Sequence, residues 1–294
     1  MKILVIGGGG QLGSKILQRA GRRHDLYTTY MTRIPLLDQR KSYQADKTDR
    51  NSINQVIRKC VPDAVIDTAA LHNVDYCETH KDEAKAVNLL GTKNVAEACK
   101  EIAAKMVFIS TDYVFDGEKG NYREDDLANP VNYYGISKLE GEKAVEQTCE
   151  NYIIVRPSVI YSWIPSSQLE SSSGKPLNFA MWLTQKLEKK EPVSIVTDQY
   201  SSPTLADSLA EAILKICEED ITGLYHIAGK TRLSRYEFAV KLAEKMGYDQ
   251  SLIHPIKTSQ LRQVASRPMD SSLNVEKIEK TIRVRLPAIS EALD

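Results

Sequence analysis

Residues 2–21 read KILVIGGGGQLGSKILQRAG. The stretch KILVIG is a short apolar run that reads as a buried strand, and LGSKILQRAG carries a helical pattern. Four glycines, Gly7 to Gly10, stand between them. Glycines at a strand-to-helix turn let the backbone bend tightly and approach a pyrophosphate, which sits on the amides at the helix N-terminus. Two registers fit: Gly8, Gly10 and Gly13 give G-x-G-x-x-G, whereas Gly7, Gly10 and Gly13 give G-x-x-G-x-x-G. Either way the turn predicts a dinucleotide site formed by Gly7, Gly10, Gln11, Leu12 and Gly13. The spacing alone does not choose the dinucleotide.

Outward from that turn, strand and helix patterns alternate. DLYTTY (25–30) reads as a strand, SINQVIRKC (52–60) as a helix and DAVIDTAA (63–70) as a strand. AKAVNLLGTKNVAEACKEIA (84–103) reads as one helix, KMVFIS (105–110) as a strand, and a helix opening at Tyr133 leads to YIIVRPSVIY (152–161). This rhythm predicts βαβ units and a doubly wound, Rossmann-type parallel sheet covered on both faces. Beyond residue 161 the texture changes: PSSQLESSSGKP (165–176) is a Ser-rich loop, NFAMWLTQKLEKKE and LADSLAEAILKICEE read as helices, PVSIVTDQYSSPT and GLYHIAG as strands, and the remainder from SRYEFAVKLAEKMG as helical segments and loops. The expected division is a dinucleotide-binding domain over 1–160, to which 204–230 returns. A smaller, discontinuous α/β substrate domain takes up 161–294.

Lysines plus arginines equal aspartates plus glutamates at 39 each, so no global charge points to nucleic acid or an anionic membrane. The five cysteines are scattered, which reads as free thiols in a reducing compartment. Asp75, Cys77 and His80 lie close together, but a zinc site needs a second matching pair, so no metal is expected. The N-terminal apolar run is too short for a signal peptide, and no stretch reaches a membrane span. The expected location is cytoplasmic. AGKTRLS contains Gly-Lys-Thr, but Leu224 stands where a phosphate-binding Walker loop needs its first glycine.

Cofactor preference rests on the end of the second strand. An NAD-preferring fold places an acid there for the ribose hydroxyls; TTYMTRIP places Arg33 instead. An arginine suits a 2′-phosphate, so NADP(H) is favoured over NAD(H). Asp46, in QADKTD, is better placed for the adenine side.

NPVNYYGISKLEGE (129–142) carries the chemistry. Tyr134 and Lys138 are four apart and share a helix face; Tyr133 points elsewhere. A carbonyl that receives hydride needs a proton on oxygen, which a phenol can give. A nearby ammonium lowers the phenol's titration towards neutrality. Lys138 is also placed to bind the nicotinamide ribose. Thr111, at the carboxyl end of KMVFIS, offers a hydroxyl to the same carbonyl oxygen, and Ser110 is the neighbour that could be confused with it.

GGGGQLG, STDYVFDG and YYGISKLEGE together resemble the extended short-chain dehydrogenase/reductases. STDYVFDG followed by Y-x-E-D (Tyr122 to Asp125) is most similar to the dTDP-4-dehydrorhamnose reductase family. DTAALHNVDYCE, AVNLLGTKNVAEA, DQYSSPT and SRPMDSSLNVEKIE extend the resemblance over nearly the whole chain. It implies Thr111, Tyr134 and Lys138 as the catalytic set. It implies Asn88 as the helix asparagine behind the site, and Ala69 and Ala70 as small residues along the cofactor. Asp112 and Tyr113 are implied near the sugar, and Arg267 near the nucleotide phosphates. RPSVIYSWIPSSQLESSSGKP departs from the family's shorter RTSWVYG pattern, and His72 replaces a small hydroxyl residue.

The implied activity is NADPH-dependent reduction of the C4 ketone of a 4-keto-6-deoxy sugar nucleotide, with a homodimer as the default assembly. Two rival readings remain at this point. One is a resemblance to the NADP-binding regulatory subunit of methionine adenosyltransferase. The other is a sugar-nucleotide epimerase with tightly held NAD.

Overall fold

The computed structural model describes residues 1–21, 23–32, 41–163 and 178–293. Arg33 and the Ser-rich stretch 165–176 lie outside the described residues. The first part of the chain runs Lys2–Ile6 (β1), Gln11–Ala20 (α1), Asp25–Tyr30 (β2), Ser42–Gln44 (β3), Arg50–Cys60 (α2) and Ala64–Asp67 (β4). It continues through Val74–Thr79 (α3), Lys81–Lys85 (α4), Thr92–Glu101 (α5), Lys105–Ile109 (β5), Tyr133–Thr148 (α6) and Tyr152–Arg156 (β6). The second part runs Ile160–Tyr161 (β7), Phe179–Glu188 (α7), Val193–Val196 (β8), Tyr200–Ser201 (β9), Thr204–Leu205 (β10) and Ala206–Glu218 (α8). Gly223–His226 (β11), Leu233–Ser234 (β12), Arg235–Met246 (α9), Ile253–Ile256 (β13) and Glu276–Ile282 (α10) follow.

Seven strands form one sheet in the order β11-β6-β5-β4-β1-β2-β3, every pair parallel. Successive residues of a strand point to opposite faces, so the unbroken apolar runs of β1, β4 and β5 bury both. Ile3, Val5, Ile66 and Val107 pack with α1, α8 and α10 on one face. Leu4, Val65, Met106 and Phe108 pack with α2, α5 and α6 on the other. The strand order reverses between β1 and β4, and in such sheets ligands bind at that point, beyond the carboxyl ends of the strands. A separate core gathers Tyr161, Leu183, Ile195, Phe238, Leu242 and Ile253 from α7, α9 and the β8–β13 pair.

Four local expectations differ from the structure. YIIVRPSVIY is two strands: Pro157 cannot donate to a ladder, Val159 takes φ of 40°, and Ile160–Tyr161 pairs with β10 instead of the main sheet. The helix expected over 84–103 is α-helical only at its ends, with a π-helical turn over Ala86–Gly91 between them. The C-terminal stretch, expected as helices and loops, also supplies β13, which pairs parallel with β8. Finally, Leu273, Val275, Ile278, Ile282 and Leu286 join the first core, because α10 lays its apolar face against β11.

Candidate active site

The glycine turn is shaped by what it lacks. Gly7 adopts φ of 83°, and an added Cβ would lie 3.2 Å from the Ala69 Cβ. A Cβ on Gly13 would lie 2.4 Å from the Gly7 carbonyl oxygen, so α1 can approach β1 only through glycine. Helix α1 begins after Gly10 with no side-chain cap, which leaves the amides of its first turn open to an anion. The Gln11 side-chain amide is buried nearby without a partner. Ala69 and Ala70 follow β4 alongside the turn, and Asp46 lies just beyond β3, its carboxylate accepting from the Thr48 amide and hydroxyl at 2.8 Å each.

Asn88 sits in the π-helical turn, fully buried. Its oxygen accepts from the Leu71 amide at 2.9 Å; its nitrogen donates to the Leu71 carbonyl and to Ser137 Oγ, both at 3.0 Å. Ser137 in turn donates to the Tyr134 carbonyl at 2.8 Å. The β4 exit is thus tied to the first turn of α6 through one amide side chain. Gly141 permits that approach, since a Cβ there would meet the Asn88 carbonyl oxygen at 2.5 Å.

Helix α6 starts where Asn132 accepts from the Gly135 amide at 2.9 Å, a side-chain cap that fixes the phase of the helix. Tyr133 faces Lys81, whose ammonium lies 5.4 Å from its ring centroid, while Tyr134 meets Tyr113 edge-to-face at 6.1 Å. Lys138 is 1% exposed, its ammonium 4.0 Å from the Phe108 ring centroid and, among the described residues, without a hydrogen-bond acceptor. Burial lowers its pKa to about 7, and the neighbouring Lys47 pushes the same way, against Asp67 and Glu142. The Tyr134 phenol is pushed upward, chiefly by burial; the Thr111 hydroxyl pulls it down and Asp112 pushes it up. This is opposite to the lowered value expected from an adjacent ammonium. Both groups are desolvated, and desolvation favours the neutral form of each. Thr111 itself is buried, donates to Asp112 Oδ1 at 3.2 Å and accepts from the Tyr113 amide at 3.2 Å.

The residues expected at the sugar and phosphates are placed differently from one another. Tyr113 lies beside Tyr134. Asp112 is buried and engaged, its Oδ2 accepting from Ser158 at 2.8 Å and from Ser271, so it ties Thr111 to the C-terminal segment. Arg267 holds Asp75 at 3.1 Å and donates to the Ala265 carbonyl at 2.7 Å. Its guanidinium thus bolts that segment to α3. Asp75, Cys77 and His80 do not converge: Cys77 donates to the Leu71 carbonyl and His80 stacks on Tyr76 at 3.7 Å. Among the described residues no group of His, Cys, Asp and Glu is placed to hold a metal. His72 is exposed.

Several residues at or behind the site escaped the sequence reading. Lys47 and Asp67 form a buried ion pair at 2.7 Å. Arg156 makes two bonds to Glu142, at 2.8 and 2.6 Å, and Ser110 donates to the same carboxylate, so Ser110 points into the helix packing and leaves Thr111 facing the site. An arginine inside the apolar run YIIVR was the available signal, because a buried guanidinium needs a carboxylate. Together the cluster offers a phenol proton, a hydroxyl donor and an ammonium without an acceptor among the described residues, at the carboxyl edge of a nucleotide-binding sheet.

The profile of the RmlD substrate binding domain matches residues 1–294. Relatives 30% identical to this chain include the probable low-salt glycan biosynthesis reductase Agl14 of Haloferax volcanii and the dTDP-4-dehydrorhamnose reductase of Salmonella typhimurium. The alignments cover 100% of this chain and 96% of the first, and 98% of this chain and 94% of the second. A crystal structure of dTDP-4-dehydrorhamnose reductase from Bacillus anthracis in complex with NADP superimposes with a TM-score of 0.87 at 29% identity, covering 99% of this chain and 96% of that one.

Proposed function

The chain belongs to the RmlD substrate binding domain family, and from that premise we propose a division of labour within an NADPH-dependent reductase of a 4-keto-6-deoxy sugar nucleotide. The observation that carries the reading is the buried amine of Lys138, without an acceptor among the described residues, one turn from Tyr134. Burial without an acceptor holds Lys138 towards its neutral form, and a ligand that supplies an acceptor favours the ammonium. The cofactor's nicotinamide ribose hydroxyls are of the right chemistry, and the side-chain-free turn at Gly7 and Gly13 fits its pyrophosphate.

Bound NADPH supplies hydride to the ketone carbon. Tyr134 gives its phenolic proton to the developing alkoxide, and the Thr111 hydroxyl, turned away from Asp112 Oδ1, donates a hydrogen bond to the same oxygen. The ammonium of Lys138 favours the phenolate that remains. Gly7, Gly10, Gln11, Leu12 and Gly13 hold the phosphates, Asp46 the adenine side, and Ala69 and Ala70 leave room along the cofactor. Asn88 fixes the backbone of α6 beneath Tyr134. Tyr113 borders the sugar, whereas Asp112 and Arg267 position the segments that enclose it. The sheet with its two faces acts as the cofactor domain and the third core as the substrate domain. The same reading carries a cytoplasmic homodimer, checked by light scattering and fractionation; among the described residues no helix is long and apolar enough to cross a membrane.

The deciding experiment is NADPH oxidation across a panel of keto-sugar nucleotides. Ketone-dependent consumption is expected; tight NADPH binding without consumption of any ketone would sink the reductase reading and favour a binding-only role.

A further inference from the structure

Lys47 follows β3 in sequence but is only 4% exposed. Its ammonium donates to Asp67 Oδ2 at 2.7 Å, to the Ala69 carbonyl at 2.7 Å and to Thr92 Oγ1 at 3.3 Å. The stem crosses Gly91, where an added Cβ would lie 2.8 Å from Lys47 Cγ. Asp67 Oδ1 accepts from the Ala69 amide at 3.2 Å, and Asn88 holds both backbone groups of Leu71. The three-residue exit from β4 is therefore held at each end by buried side chains.

The sheet register adds a second relation. Asp67 on β4 pairs with Phe108 on β5. Paired residues of parallel neighbours point to the same face, about 4.8 Å apart. Lys47 reaches Asp67, and the Lys138 ammonium stands over the Phe108 ring. Two buried ammoniums thus occupy neighbouring places on one face, the first with a carboxylate and the second without. The charged or titratable groups facing Lys138 are Lys47 from the β3–α2 connection, Asp67 from β4, and Glu142 and Tyr134 from its own helix.

We propose that Lys47, clamped to Asp67, is a positioning residue of the reductase site: it fixes the Ala69–Leu71 peptide and sets its ammonium beside Lys138. Like charges disfavour each other's protonated form, so Lys47 adds to burial in holding the proton off Lys138. A pair serving stability alone would hold the peptide and leave the pH dependence of kcat/KM where it stands. The kinetic consequence rests on the reductase reading; the electrostatic one does not.

The test is the titration of Lys138, followed by the ε-carbon resonances of lysine-labelled protein and assigned with Lys138→Arg. Lys47→Met alone strands the Asp67 carboxylate and Asp67→Asn alone strands the Lys47 ammonium, so the informative variant is the double Lys47→Met/Asp67→Asn, which removes both charges. The double variant is expected to move the Lys138 midpoint upward, because it removes the like charge that acts on Lys138 more strongly than the Asp67 carboxylate does. A displacement of ~0.5 pH unit or more is expected. A folded double variant whose midpoint coincides with the wild type within ~0.2 unit would overturn the proposal, since neighbouring charges must move a buried group. In the reductase assay the alkaline limb of kcat/KM should move with the midpoint. A wild type that reduces no ketone removes the reductase reading and leaves the titration to decide this one.

Discussion

The glycine turn after β1 and the polar cluster beyond β4 and β5 lie at the same carboxyl end of one parallel sheet, but they are built in opposite ways. The turn works by omission: no Cβ at Gly7 or Gly13, no side-chain cap on α1, and open amides. The cluster works by enclosure, with Lys47, Asp67, Asn88, Thr111 and Lys138 all buried. A site made of backbone tolerates no added atoms, whereas a site made of buried polar groups tolerates no missing partners. Binding and chemistry should therefore fail separately.

The sharpest attempt to break that separation is Tyr134→Phe. Its expected cost is at least ~100-fold in turnover, about 2.7 kcal/mol, with NADPH affinity retained. Steady-state kinetics beside fluorescence titration of NADPH would show it, and unaltered turnover would remove the role given to the phenol. Gly13→Ala probes the other side. Its methyl group would meet the Gly7 carbonyl oxygen, so NADPH should bind roughly 30-fold more weakly, about 2 kcal/mol, while turnover at saturating cofactor stays within ~3-fold.

Asn88→Ala sharpens the contrast. It unties Leu71 from Ser137, and turnover should fall by ~10-fold with little effect on cofactor affinity, because the loss is in positioning. The smallest effect is a pH dependence of stability. The Lys138 pKa is lowered to about 7, so between that value and the ordinary lysine range the unfolded chain binds more protons than the folded one. Stability then rises with pH in this window, by roughly 1 kcal/mol from pH 7 to 8. Denaturant melts of wild type against Lys138→Met isolate that gain, which the variant should lack.

The same contrast explains what could be read from sequence. Omission leaves a local trace: four consecutive glycines between an apolar strand and a helix declare the turn within a dozen residues. Tyr134 and Lys138 were legible because one helical turn joins them. Lys47 and Asp67 were not, since they are separated by a whole βα unit and the register of β4 on β5 brings their neighbours together. A lysine flanked by Asp46 and Thr48 reads as surface. The strand pattern AVID did end in a carboxylate, a sign of a buried acid in need of a cation, but nothing nearby identified its partner. The return of α10 to the first core was hidden for a similar reason, because its seven residues carry too short a pattern to say which sheet they cover.

The π-helical turn over Ala86–Gly91 has a consequence for how this chain tolerates length change. A wide turn holds one residue more than an α-helical one, and that surplus lets Asn88 face α6 while Gly91 clears the Lys47 stem. Deleting one amino acid there would restore ordinary winding and leave the helix beyond it in phase, but the bulge that sets Asn88 and Gly91 in their places would be gone. Insertions and deletions that a surface helix absorbs at its ends would, at this place, trade away either the asparagine or the gap.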